Sequence, residues 1–111
     1  GMRAPPPPPP PAQAPPPPKE WNKAQQRFLD SMRRIESSCQ AQIQALKGCA
    51  GEEGCQRATL AKDVCFAEAV CPKDAAAFIR ALEKGVDMEG AYDRMLECNH
   101  RFKTDGERLF T

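Results

Sequence analysis

Four cysteines constrain this chain most: Cys39, Cys49, Cys55 and Cys65 are separated by nine, five and nine residues. Two equal arms joined by a short link bounded by glycine read as two helices stapled side by side. In an α-helix ten residues advance about 15 Å and turn about 1000°, which leaves the two cysteines of each arm roughly 80° apart, on one side. If the arms fold back antiparallel, Cys49 meets Cys55 beside the turn. Cys39 then meets Cys65 at the open end, with both pairs in register. The parallel alternative, Cys39–Cys55 with Cys49–Cys65, would need five linking residues to run back about 15 Å, near the limit of a chain that extends roughly 3.3–3.6 Å per residue.

Size makes staples valuable here. The chain has 111 residues, and the first 18 include eleven prolines. About 90 residues remain for one small domain with a thin core. An even count of six cysteines leaves no thiol over. The formal net charge is +1, with acids and bases mixed throughout. That balance argues against a nucleic-acid partner or a charge-driven membrane role. No apolar run approaches the roughly 20 residues that span a bilayer. Prolines stand where a secretory signal would have its apolar core, and Arg3 alone does not make an Arg-rich presequence. The cysteines thus point to an oxidising compartment without either ordinary N-terminal address.

Along the chain, two units are expected: a Pro-rich extended arm over 1–18 and a helical, disulfide-stapled domain over 19–111 with its core at 39–65. Pro5 to Pro11 and Pro15 to Pro18 lock φ and donate no hydrogen bond, so the arm reads as polyproline II. It is either a solvated spacer or a strap on a partner's aromatic groove. From Lys19 to Lys47 there is neither Pro nor Gly. Trp21, Phe28, Ile35 and Cys49 share one heptad position, and Met32, Cys39 and Leu46 share the other. One helix over about 20–47 follows, ended by Gly48, with Gln25 and Gln42 interrupting its stripe. Its first half, bearing Trp21, Phe28 and Met32, overhangs the hairpin. Either later helices or a partner must cover that face.

Ala50 to Gly54 is expected as the turn and Cys55 to Ala69 as the second arm. Cys55, Ala58 and Cys65 face the first helix; Leu60, Val64, Ala67 and Cys71 mark another side. A helix apolar on two sides lies between two neighbours. Pro72 can open a third helix, with Phe78, Ile79 and Leu82 as its apolar face and Gly85 as its end. Asp87 can cap a last helix, carrying Ala91, Tyr92, Met95, Cys98 and Phe102 until Gly106. Cys71 and Cys98 remain to pair. The fold class is all-α: an antiparallel stapled hairpin, two further C-terminal helices and an extended N-terminal arm.

No metal, cofactor or catalytic residue is expected. Structural zinc favours closer cysteine pairs, and the shortest spacing here has five residues between. A redox catalyst usually carries C-x-x-C, which is missing. The one histidine, His100, reads as a surface residue near a helix end. Glycine-rich phosphate loops and Ser-His-acid sets are also missing, and the carboxylates are spread along solvated faces.

The C-x9-C-x5-C-x9-C pattern on two helical arms resembles the twin CX9C family of coiled-coil-helix–coiled-coil-helix (CHCH) domains. The likeness covers Cys39 to Cys65. Leu46, three residues before Cys49, fits a place the family often gives to a large apolar residue, whereas Lys62 holds the corresponding place before Cys65 and Phe66 follows it. The resemblance implies the bridges Cys39–Cys65 and Cys49–Cys55. It also implies entry into the mitochondrial intermembrane space without a cleaved presequence, with trapping by that compartment's disulfide relay. Family members include structural subunits of inner-membrane assemblies and small assembly factors, among them copper carriers with a Cys-Cys pair that this chain lacks. The expectation is a non-catalytic accessory subunit on the intermembrane-space face of a respiratory-chain complex, complex I first. It would be peripheral to the membrane and partnered by other subunits through Trp21, Phe28, Met32 and the Pro-rich strap. The alternatives are a subunit of ATP synthase or the mitoribosome, a soluble assembly factor, or a secreted disulfide-rich binding protein.

Overall fold

The computed structural model describes residues 2–9 and 20–111. Residues 2–9 carry neither helix nor strand, and all are exposed. The remainder of the expected arm, with Pro11, Pro15 and Pro18, lies outside the described residues. From residue 20 onward the described chain is all-α, with five helices and no strand.

The first helix, α1 (Lys23–Ser38), opens on a capping box. Asn22 Oδ1 accepts from the Gln25 N–H at 2.8 Å, and Gln25 Oε1 accepts from the Asn22 N–H at 2.9 Å. Backbone donors that the first turn would otherwise leave unpaired are satisfied in this way. Gln25 interrupts the apolar stripe because its side chain closes the capping box on Asn22. Its side-chain amide also donates to the Leu109 carbonyl at 2.7 Å, which ties the start of α1 to the end of the chain.

The single helix expected over 20–47 is two helices. A second, α2 (Gln40–Lys47), follows α1 after one residue, Cys39, which takes φ −103° and ψ 19°. The hydrogen-bond ladder continues through the break: Cys39 N–H donates to the Ile35 carbonyl at 2.8 Å, and Ile43 N–H donates to the Cys39 carbonyl at 2.9 Å. The altered dihedrals interrupt the helix without cutting that ladder. The break falls on Cys39, the cysteine bonded to Cys65 of α3.

The turn is also shorter than expected. The third helix, α3 (Gly51–Val70), already occupies most of the stretch assigned to the turn, so only residues 48–50 link α2 to α3. Gly51 has φ +75°, a left-handed value that glycine adopts without the strain a side chain would bring. Glu52 and Glu53 follow in the first turn, where negative charge is favoured by the helix dipole. Those three residues let the helix start early and carry it through Gly54.

Pro72 occupies the first position of α4 (Pro72–Lys84), where its missing N–H costs nothing. Gly85 ends the helix at φ +67°, and the N–H groups of Gly85 and Val86 both return to the Ala81 carbonyl. The last helix, α5 (Met88–Arg108), starts after Asp87. Asp87 stands at the expected cap position, yet its side chain accepts no bond from the first turn. Its carboxylate instead pairs with Arg94 at 3.0 Å.

Gly106 does not stop α5. It is buried against Phe28, and a Cβ at this position would fall within the Phe28 ring. The glycine is a seat for an aromatic side chain from α1. Gly106→Ala is therefore expected to destabilise by about 1–3 kcal/mol, as overpacking does, read as a lower denaturation midpoint. Gly54→Ala gives the contrast: a Cβ there has open space, and replacing a helical glycine should raise stability by roughly 0.5–1 kcal/mol.

The main core lies where α3, α4 and α5 meet. Ala67, Cys71, Ala75, Phe78, Ala91 and Met95 form its buried centre, with Leu60, Val64 and Tyr92 among the partly buried residues against it. Three alanines in that centre let the helix backbones approach closely. α2 packs on α3 as well, so α3 has neighbours on two sides, as its two apolar faces require. Of the face expected on α4, only Phe78 is in the core; Ile79 and Leu82 remain 37% and 44% exposed. Ala75 and Ala81 take the places beside Phe78.

Candidate docking surface

All six cysteines are bridged. Cys39–Cys65, Cys49–Cys55 and Cys71–Cys98 bring Cα atoms to 5.9, 5.1 and 6.3 Å. The first two tie both ends of α2 to α3, and only residues 48–50 link the helices, so α2 runs back along α3. Cys49 lies in the link and Cys55 one turn inside α3. The third bridge joins the junction of α3 and α4 to α5.

The half of the first arm that overhangs the staples meets the end of the same chain. Trp21 and Phe110 stand edge to face with ring centroids 5.1 Å apart. Phe28 lies 5.6 Å from Phe102 and 6.2 Å from Phe110, and Phe66 of α3 lies 6.0 Å from Phe102. Such offset and edge-on pairs add to the area they bury. Trp21, Phe28 and Met32 are half-buried. Phe110 held no place in the sequence reading because it follows Gly106, the expected end of the helix.

Leu109 and Phe110 beside this cluster stay 38% and 37% exposed, and a second exposed apolar stretch lies on α4. Ile79, Leu82, Val86 and Met88 form a run along the outer side of α4 and across the turn into α5, with exposures of 37%, 44%, 65% and 44%. Ile79, Leu82 and Val86 recur at intervals of three and four, a signal visible in the sequence but attributed there, for the first two, to the core. On another side, a shallow groove of about 620 Å³ runs between the start of α3 and Tyr92, lined by Cys55, Thr59 and Leu60 and edged by Glu52 and Glu53.

Two side-chain hydrogen bonds cross between α3 and α5. Tyr92 Oη donates to Asp63 Oδ2 at 2.7 Å, and Asn99 Nδ2 donates to the Asp63 carbonyl at 3.1 Å. Both bonds tie α5 to α3, and sequence reading missed Asp63 and Asn99 as contributors. Burial, followed by the Asp63 hydrogen bond and the charges of Asp63 and Asp93, pushes the Tyr92 hydroxyl from 10.0 up to about 12. A raised phenol pKa means that the neutral form is favoured on folding. Its contribution is complete below pH 10 and fades as pH rises toward 12. Tyr92→Phe should lose on the order of 1 kcal/mol. In denaturation curves, the gap between wild type and variant should hold constant to about pH 10 and close toward pH 12.

Among the described residues, one group of potential metal ligands gathers: Cys71, Asp74 and Cys98. Its two sulfurs are bonded to each other. His100 is exposed on α5, 3.4 Å from Thr104 Oγ1. It lies more than two turns before the helix end, because α5 continues past Gly106. No helix among the described residues is long and apolar enough to cross a membrane. Comparison with family models, with curated proteins and with solved structures finds no match for this chain.

Proposed function

We propose that this chain is a CHCH-type, non-catalytic accessory subunit on the intermembrane-space face of a mitochondrial respiratory-chain complex, with complex I the first choice. The observation that supports this reading most is the double staple across α2 and α3, built on two equal nine-residue spacings. Four bonded sulfurs at that spacing suit a chain trapped by oxidative folding after import. The aliphatic run Ile79–Leu82–Val86–Met88 supplies a surface for a neighbouring subunit. In the assembled complex the chain would lie on its partners, peripheral to the membrane. A copper-carrying assembly factor is the weaker reading, since every cysteine is engaged in a bridge.

Affinity purification of the tagged chain in mild detergent, followed by mass spectrometry, tests the reading. The expected result is recovery of one respiratory complex with this chain in stoichiometric amount. Recovery of ATP synthase, a mitoribosome or a transient set of assembly factors would replace it with the corresponding alternative. Recovery of no mitochondrial partner would overturn it.

A further inference from the structure

Residues 2–9 read M-R-A-P-P-P-P-P and are exposed throughout. Five consecutive prolines at Pro5 to Pro9 hold the backbone in polyproline II, with three residues per turn and a rise of about 3.1 Å. A three-fold screw gives three ridges. Arg3, Pro6 and Pro9 lie on one, Pro5 and Pro8 on the next, and Ala4 and Pro7 on the third. A groove that takes such a rod touches two ridges and leaves the third in solvent. The smallest side chain of the stretch, Ala4, and the one cation, Arg3, stand on different ridges.

We propose that Arg3 to Pro9 is a docking ligand read on the Arg3–Pro6–Pro9 and Pro5–Pro8 ridges. Its partner is a protein groove paved with aromatic side chains and carrying a carboxylate opposite Arg3. The pyrrolidine rings supply flat apolar faces for the aromatic floor, and the rod is ordered before binding, so little entropy is lost on docking. The guanidinium pairs with the carboxylate in a forked geometry and fixes the direction in which the rod lies. Prolines alone would slide along such a groove; Arg3 sets the register. The inference deepens the accessory-subunit reading by naming the chemistry of one contact.

The test uses the full chain, expressed in the cells that make it, with a photoreactive side chain placed in turn at position 8, on a contacting ridge, and at position 7, on the outward one. Position 8 is expected to yield a single cross-linked partner in on the order of fivefold excess over position 7. Arg3→Glu should cut that product about tenfold, and Arg3→Lys less, because the fork is lost while the charge remains. Equal yields from positions 7 and 8, no product from either, or indifference to Arg3→Glu overturns the inference. Co-sedimentation of the same samples with a large assembly is scored separately. A chain that sediments with a complex but gives no register-dependent product leaves the subunit reading standing and removes the ligand. A register-dependent product from a chain outside any respiratory complex does the reverse.

Discussion

Reduction of the three bridges is expected to unfold the helical part of the chain. By loop-closure entropy, the Cys39–Cys65, Cys49–Cys55 and Cys71–Cys98 links, with separations of 26, 6 and 27 residues, contribute about 3.5, 2 and 3.5 kcal/mol. A small domain has roughly 5–15 kcal/mol of stability in total. Few large side chains offset the loss, because the buried centre contains three alanines and two large residues, Phe78 and Met95. Far-UV circular dichroism in strong dithiol reductant should show helicity collapsing, with an oxidised sample unchanged in the same buffer without the reductant. The paired variant Cys39→Ser/Cys65→Ser should lose more than Cys49→Ser/Cys55→Ser, since its loop is longer and Cys39 is 2% exposed. Full helicity in the reduced chain would mean that core packing alone holds the helices.

Phe78→Ala is expected to cost about 3–5 kcal/mol, the range for emptying a packed aromatic site. Phe78 is 2% exposed, at the junction of α3, α4 and α5, and its ring lies 5.2 Å from that of Tyr92. Leu82→Ala, one turn along the same helix on its exposed side, should stay within about 0.5 kcal/mol, as surface changes do. Urea unfolding of the oxidised proteins separates the two through the midpoint at constant slope. Equal losses at both positions would contradict the orientation of α4.

Much of this was legible because sulfur and proline carry positional meaning. The cysteine spacings give two equal arms, Pro72 opens α4, and Gly85 closes it where φ must be positive. Gly48 closes α2 where expected, but Gly54 and Gly106 were misread, since a glycine marks either a break or a close approach and the sequence does not say which. Gly54 lies inside α3, and Gly106 is where Phe28 lands. Cys39 marks a break that heptad counting conceals, because the stripe continues across it. The Trp21–Phe28 face depended on a long-range contact with Phe110, more than 80 residues away in sequence, which no local pattern reports. The Asp63–Tyr92–Asn99 bonds were hidden for the same reason: a carboxylate on a charged helix reads as solvated until its neighbour across the packing is known.

Peptide mapping of the unreduced, alkylated native protein tests the central claim of a sulfur-stapled helical framework most directly. Trypsin cuts the chain so that residues 48–57 hold Cys49 and Cys55, while Cys39, the Cys65 and Cys71 pair, and Cys98 fall in 35–47, 63–73 and 95–101. The expected result is peptide 48–57 lighter by two hydrogens, together with one assembly in which 63–73 is bonded to both 35–47 and 95–101. A second cut after Glu68 should then send Cys65 with Cys39 and Cys71 with Cys98. Alkylated cysteines, or Cys39 recovered with any partner other than Cys65, would contradict the framework and the functional reading built on it.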